Sequence, residues 1–97
     1  MLPSEILQRA KDSLTLETWG KGLPAERLGT LCAMEAIAQL NAPYAFRLSS
    51  SHYLTAAIGY RIGYRSITSW NDAPERTLEE VHAAFDKAIA AAKEAGQ

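Results

Sequence analysis

The sequence predicts an all-α fold, a compact bundle of about four helices. Two observations carry this. Apolar residues recur at three- and four-residue steps in four separate stretches, and each stretch is bounded by residues that cap or break helices. A third observation sets the scale: 97 residues, 47% of them hydrophobic and 22% charged, is the profile of an ordinary globular chain forming one domain over 1–97. A chain of this length hides somewhat over about 60% of its surface on folding, enough for one modest core.

The first helix is expected to open at Ser4 as N-cap, with Glu5 in the first turn where the helix dipole favours an anion. Ile6, Leu7, Ala10 and Leu14 form one narrow apolar face; Gln8, Arg9, Lys11 and Asp12 form the polar one. The helix fades near Leu16–Thr18, ahead of Trp19-Gly20-Lys21-Gly22, whose two glycines mark a turn. Two starts compete for the second helix. Pro24 suits a first helical position, with Leu23 before it, but Gly29 interrupts. Thr30 suits the N-cap of a helix over Leu31–Leu40, in which Ala33, Ala36, Ile37 and Leu40 share a face and Glu35 is the only charge. Asn41-Ala42-Pro43 ends it. Residues 19–31 leave room for a small irregular or β element.

Residues 44–49 read as a connection, and Ser49-Ser50-Ser51 as three alternative caps for a third helix. Its inner face would be Leu54, Ala57, Ile58 and Ile62, and Gly63 would take the left-handed position past its end. Ser66–Trp70 reads either as a short helical turn, with Ile67 and Trp70 on one side, or as a short strand. The last helix has the fullest signature. Thr77-Leu78-Glu79-Glu80 is a capping box. Leu78, Val81, Phe85, Ala88, Ile89 and Ala92 follow at helical spacing, Lys87 and Lys93 come later, and Gly96 ends it.

Ten Lys and Arg against eleven Asp and Glu give a net charge of −1, without the positive bias of a general nucleic-acid binder. One cysteine excludes an intrachain disulfide framework and a multi-thiolate site. No apolar run approaches the length of a membrane span, and Met1-Leu-Pro-Ser-Glu has no signal-peptide character. These readings lead us to expect a cytoplasmic protein that binds no membrane.

The most distinctive string is Trp70-Asn71-Asp72-Ala73-Pro74-Glu75-Arg76-Thr77. Asn71 and Asp72 can turn their side chains onto nearby amides, Pro74 presets a dihedral, and Trp70 can bury its ring while its N–H seeks an acceptor. Arg76 can pair with Asp72 or another acid. The string reads as a structural corner before the last helix, or as a cleft in which Asn71, Asp72 and Arg76 hold a polar ligand. It resembles the signature of a small bacterial and phage family of unknown function, in which a Trp-containing stretch and a Cys-Ala-x-x-Ala-Ile segment come first. Trp19-Gly20 and Cys32–Ile37 are the matching pieces here. The chain departs from that pattern at Glu35, where the family carries Gly, and in a short loop between Trp19 and Cys32. The resemblance implies a phage or mobile-element origin and no activity.

Cys32, His52 and Asn71 or Asp72 follow the chain order of papain-like hydrolases, but no sheet is evident to present the histidine. A lone cysteine in a helical domain is ordinarily a small core residue. His52 and His82 lie thirty residues apart, so a zinc site lacks its three converging ligands. We expect no catalytic residues, no metal and no cofactor.

Charge distribution says more than net charge. From Ala36 to Asn71 there is no acid, while Arg47, Arg61, Arg65 and His52 lie among Tyr44, Phe46, Tyr53, Tyr60 and Tyr64. From Asp72 to Asp86 come Asp72, Glu75, Glu79, Glu80 and Asp86 with Arg76 alone. Arginine with tyrosine is a composition that protein interfaces favour. The expected function is therefore a small non-enzymatic binding protein whose partner is a host or phage protein, with a homodimer as a variant. The alternative is a nucleotide-like anion in a pocket lined by arginine, tryptophan and asparagine. Candidate binding residues are Arg47, Tyr53, Tyr60, Arg61, Tyr64, Arg65, Trp70, Asn71, Asp72 and Arg76.

Overall fold

The computed structural model describes residues 1–21, 30–59 and 64–97, with the backbone alone at 64–66. Five helices follow in order: α1 (Pro3–Ser13), α2 (Ala33–Ala38), α3 (Tyr44–Ala57), α4 (Tyr64–Asn71) and α5 (Leu78–Glu94). The all-α bundle read from the sequence is what forms. The fifth helix is α4, the stretch that read as a helical turn or a strand.

Helices α1, α3 and α5 pack against one another pairwise. The expected faces meet in one core: Ile6, Leu7, Ala10 and Leu14 from α1 and its end, Val81, Phe85, Ala88 and Ala92 from α5, and Ile37, Leu54 and Ile67 between them. Among the described residues Phe85 is the largest side chain wholly removed from water, so it organises the centre.

The helix ends show where local sequence signals compete. Helix α1 starts with Pro3 rather than after Ser4, because Pro fits the first helical position and has no N–H to satisfy. Glu5 then reaches back to the Leu2 amide (3.0 Å). Ser4, expected as the cap, is buried instead, and both its amide and its hydroxyl donate to the Gln97 main-chain oxygen (3.1 and 3.0 Å). Helix α2 begins after Cys32, not Thr30, because Leu31 is taken by an isolated parallel bridge to Trp19. The irregular or β element expected over 19–31 includes this bridge; residues 22–29, Pro24 among them, lie outside the described residues. Cys32 stands in for Ser in a capping box: its amide donates to Glu35 (3.0 Å), and the Glu35 amide donates to its sulfur (3.5 Å). The helix also ends early, at Ala38 rather than Leu40.

Helix α3 departs furthest from expectation. Residues 44–49 are not a connection but its first turns, entered from Pro43. Ser50 and Ser51 are not caps. They lie buried inside the helix, donating back to the Phe46 and Leu48 carbonyls (2.8 and 2.7 Å), and their small volume suits a helix pressed between α1 and α5. The helix ends near Ile58, with Gly59 at φ 84° supplying the left-handed residue expected at Gly63. Ile62 and Gly63 lie outside the described residues. Helix α5 matches its reading. Thr77 and Glu80 cap each other, and Gly96 at φ 77° closes a Schellman motif through Gly96 N–H to Lys93 (3.0 Å) and Gln97 N–H to Ala92 (2.8 Å).

Candidate functional site

The corner between α4 and α5 is built around Asn71. This side chain is wholly buried at the last position of α4. Its carbonyl oxygen accepts from the Trp19 indole N–H (2.7 Å) and from the Ala33 amide (3.0 Å). Its amide nitrogen donates to the Gly20 carbonyl (3.0 Å) and to Asp72 Oδ1 (3.0 Å). The Ala33 amide belongs to the first turn of α2, where no intrahelical acceptor exists. Asn71 therefore ties the end of α4 to the start of α2 and to the Trp19–Gly20 side of the Trp19–Leu31 bridge. Asn is suited to this because it offers both an acceptor and two donors at one point.

Outside that hub lie two cation–aromatic pairs. Arg76 stacks 4.1 Å from the Trp70 ring centroid, donates from Nε to the Trp70 carbonyl (2.9 Å) and pairs with Glu80 (3.2 Å). Lys21 lies 5.4 Å from the Trp19 ring and donates to the Pro74 carbonyl (2.9 Å). Trp70 is half-buried against the core. Asp72, Arg76 and Trp70 are thus brought together around Asn71, but every polar atom of Asn71 is already engaged within the chain. The geometry has the form of the structural corner; a ligand here would meet the outer faces of Arg76 and Asp72, not the Asn71 amide.

The remaining candidates are not gathered with them. Arg47 crosses to α2 and donates to the Ala42 and Ala38 carbonyls (3.0 and 2.8 Å), a cation placed on the negative end of a helix dipole. It also lies 5.8 Å from the Tyr44 ring. Tyr53 packs on the core, and its hydroxyl is 3.3 Å from Gln97 Oε1. Tyr60 and Arg61 lie outside the described residues. Tyr64 and Arg65 are placed in α4 by their backbone alone.

Burial pushes the Cys32 thiol up from its usual value, against the Glu35 amide that donates to its sulfur. His52 is exposed. His82 is within 2.7 Å of the Leu14 carbonyl through Nε2, which makes that nitrogen the donor. Among the described residues, no three His, Cys, Asp or Glu side chains are grouped so as to hold a metal ion, and no helix is long and apolar enough to cross a membrane.

A second feature escaped the sequence reading. Among the described residues six large hydrophobic side chains are exposed, and five of them stand at the starts of α1 and α3: Met1, Leu2, Tyr44, Phe46 and Leu48. These two starts are adjacent, since the Ser50 hydroxyl lies 2.8 Å from the Phe46 carbonyl and 3.4 Å from the Pro3 carbonyl. The signal was present in Tyr44, Phe46 and Leu48, but in a span that read as a connection their exposure had no helix face to belong to.

The chain matches no curated protein and no solved structure. One family model matches residues 1–91, nearly the whole chain. The protein therefore belongs to DUF6197, a family of unknown function.

Proposed function

We propose that this protein is a small non-enzymatic binding protein that acts by protein–protein contact. The observation that carries the reading is the set of exposed apolar side chains at the starts of α1 and α3, with Tyr44 and Leu48, one turn apart, sharing a face of α3. A small globular domain gains nothing in its own folding from large apolar groups in water, and aromatic side chains exposed in this way are enriched in contact surfaces. Tyr44 is 69% exposed, and Phe46 and Leu48 are each 41% exposed, so a partner has side chains to cover. The resemblance of the Trp70–Thr77 string to a phage family extends the proposal: the chain is of phage or mobile-element origin, and its partner belongs to a host system.

The test is capture from host lysate followed by mass photometry, comparing the wild-type chain with a Tyr44→Ser/Phe46→Ser variant whose folding is checked by circular dichroism. The expected result is a defined partner held by the wild-type chain and lost by the folded variant. A substrate turned over by the purified protein, with no stable partner, overturns the proposal.

A further inference from the structure

We infer that the groove between α1 and α5 is an acidic-segment docking site, where a partner's carboxylates are held beside the apolar end of the bundle. The inference rests on the protein-binding reading above and adds the chemistry of the partner. The groove has a volume of about 280 Å³ and is lined by Ser4, Glu5, Gln8 and Arg9 from α1 and by Ile89 and Lys93 from α5.

Its charge is unbalanced in a particular way. Elsewhere among the described residues Lys11 pairs with Asp86 (2.7 Å), Lys21 with a carbonyl, Arg47 with two carbonyls and Arg76 with Glu80, while Lys87 stands exposed away from the groove with no such contact. Arg9 and Lys93 face the groove from opposite walls, both exposed, and neither makes a hydrogen bond or ion pair among the described residues. The acid in the groove, Glu5, has one oxygen engaged by the Leu2 amide. Ser4 is turned away onto Gln97. Two free cations across an apolar floor at Ile89 fit a carboxylate, and Arg offers it a two-pronged donor.

What adjoins the groove decides between a free anion and a segment of protein. The amide of Leu2, an exposed apolar residue, is bonded to Glu5 of the groove. A small anion would use only Arg9 and Lys93. A segment carrying acidic and apolar residues together would fill the groove and cover Leu2 as well.

Nuclear magnetic resonance titration of the full chain tests this. The probes are a short peptide rich in Glu and Leu, its counterpart with Lys for Glu, and inorganic phosphate. The acidic peptide should shift Gln8, Arg9, Ile89 and Lys93, with an affinity that falls as salt rises. Arg9→Glu/Lys93→Glu should weaken it roughly tenfold or more, while Lys87→Glu, on another face of α5, should not. Equal binding of the basic peptide, indifference to the double reversal, or phosphate binding to which the peptide adds nothing each overturns the inference. Partner capture that depends on Tyr44 and Phe46 but not on Arg9 and Lys93 would sink this inference alone and leave the broader reading standing.

Discussion

Removing the Asn71 side chain is the sharpest perturbation the fold offers. Asn71→Ala deletes four hydrogen bonds of 2.7 to 3.0 Å at one stroke. Their former partners do not suffer equally. The Ala33 amide is buried and has no helical acceptor, so leaving it unpaired costs about 1–3 kcal/mol. Trp19 and Gly20 are half-buried, so water can reach their freed groups and each loss is nearer about 0.5–1 kcal/mol. The sum is about 2–5 kcal/mol. For a domain of this size, about 4–8 °C of Tm accompanies each kcal/mol, so the melting point should fall by about 8–40 °C. Urea denaturation followed by circular dichroism measures it directly. Asn71→Asp keeps the acceptor for Trp19 and Ala33 but turns the donor facing Gly20 into a second acceptor, and it buries a charge beside Asp72. The introduced carboxyl is driven toward its protonated form in the folded state. Its folded pKa is raised, so the stability it supports is present at low pH and lost as pH rises. Relative to wild type, the variant should therefore recover on acidification. An Asn71→Ala chain within about 1 kcal/mol of wild type would refute the view that this side chain holds the corner.

Three further outcomes follow from the same geometry. A Cβ added at Gly20 would lie 2.7 Å from Thr30 Cβ, so Gly20→Ala should cost about 1–3 kcal/mol in urea melts, and a companion Thr30→Gly should restore part of it; no loss in the single variant contradicts the close approach. Cys32 should react with iodoacetamide at neutral pH more slowly than a free thiol, and at the free rate in urea, because burial disfavours its thiolate; a native rate above the unfolded one would contradict this. Glu80 is held below the usual carboxylate range, first by the Thr77 amide and then by the Thr77 hydroxyl and Arg76. A depressed folded pKa gives stability that is present above the unfolded value and is lost as pH falls through the folded one. The urea midpoints of wild type and Glu80→Gln should therefore differ at neutral pH and draw together as pH falls through and below the usual carboxylate range; a gap constant across that range contradicts it.

The legible parts of the fold were those where one local signal had no rival. Thr77, Glu80 and Gly96 have no competing cap nearby, and α5 forms where they place it. Around α3 the signals conflicted. Three consecutive serines carry the local chemistry of a cap, but here their hydroxyls bond back along the helix and their small size serves packing. Only the tertiary neighbours, α1 and α5, decide between the two uses. Trp70, Asn71 and Arg76 were legible as a turn, but the reach of Asn71 across 38 and 51 residues to Ala33 and Gly20 was not. Hydrogen bonds between distant segments leave no periodicity in a sequence. Arg47 shows the same blindness: it stood among aromatics as an interface candidate, and it fastens α3 to the end of α2.

The string with the strongest chemical character is therefore occupied with folding, and the proposed contact surface lies where the sequence looks plain. Helix α3 lets this division be tested along a single element. Tyr44 is 69% exposed, Phe46 41%, and Leu54 not at all. Full burial of a large apolar side chain is worth about 1.5–3 kcal/mol, and truncation in a packed core costs more because a cavity remains. Tyr44→Ser should then lie within about 0.5 kcal/mol of wild type, Phe46→Ser should cost about 1–2 kcal/mol, and Leu54→Ala about 2–5 kcal/mol. Partner binding should run the other way, lost first where stability suffers least. If Tyr44→Ser unfolds the chain as readily as Leu54→Ala, the start of α3 belongs to the core, and the exposed end is a folding surface with nothing left for a partner.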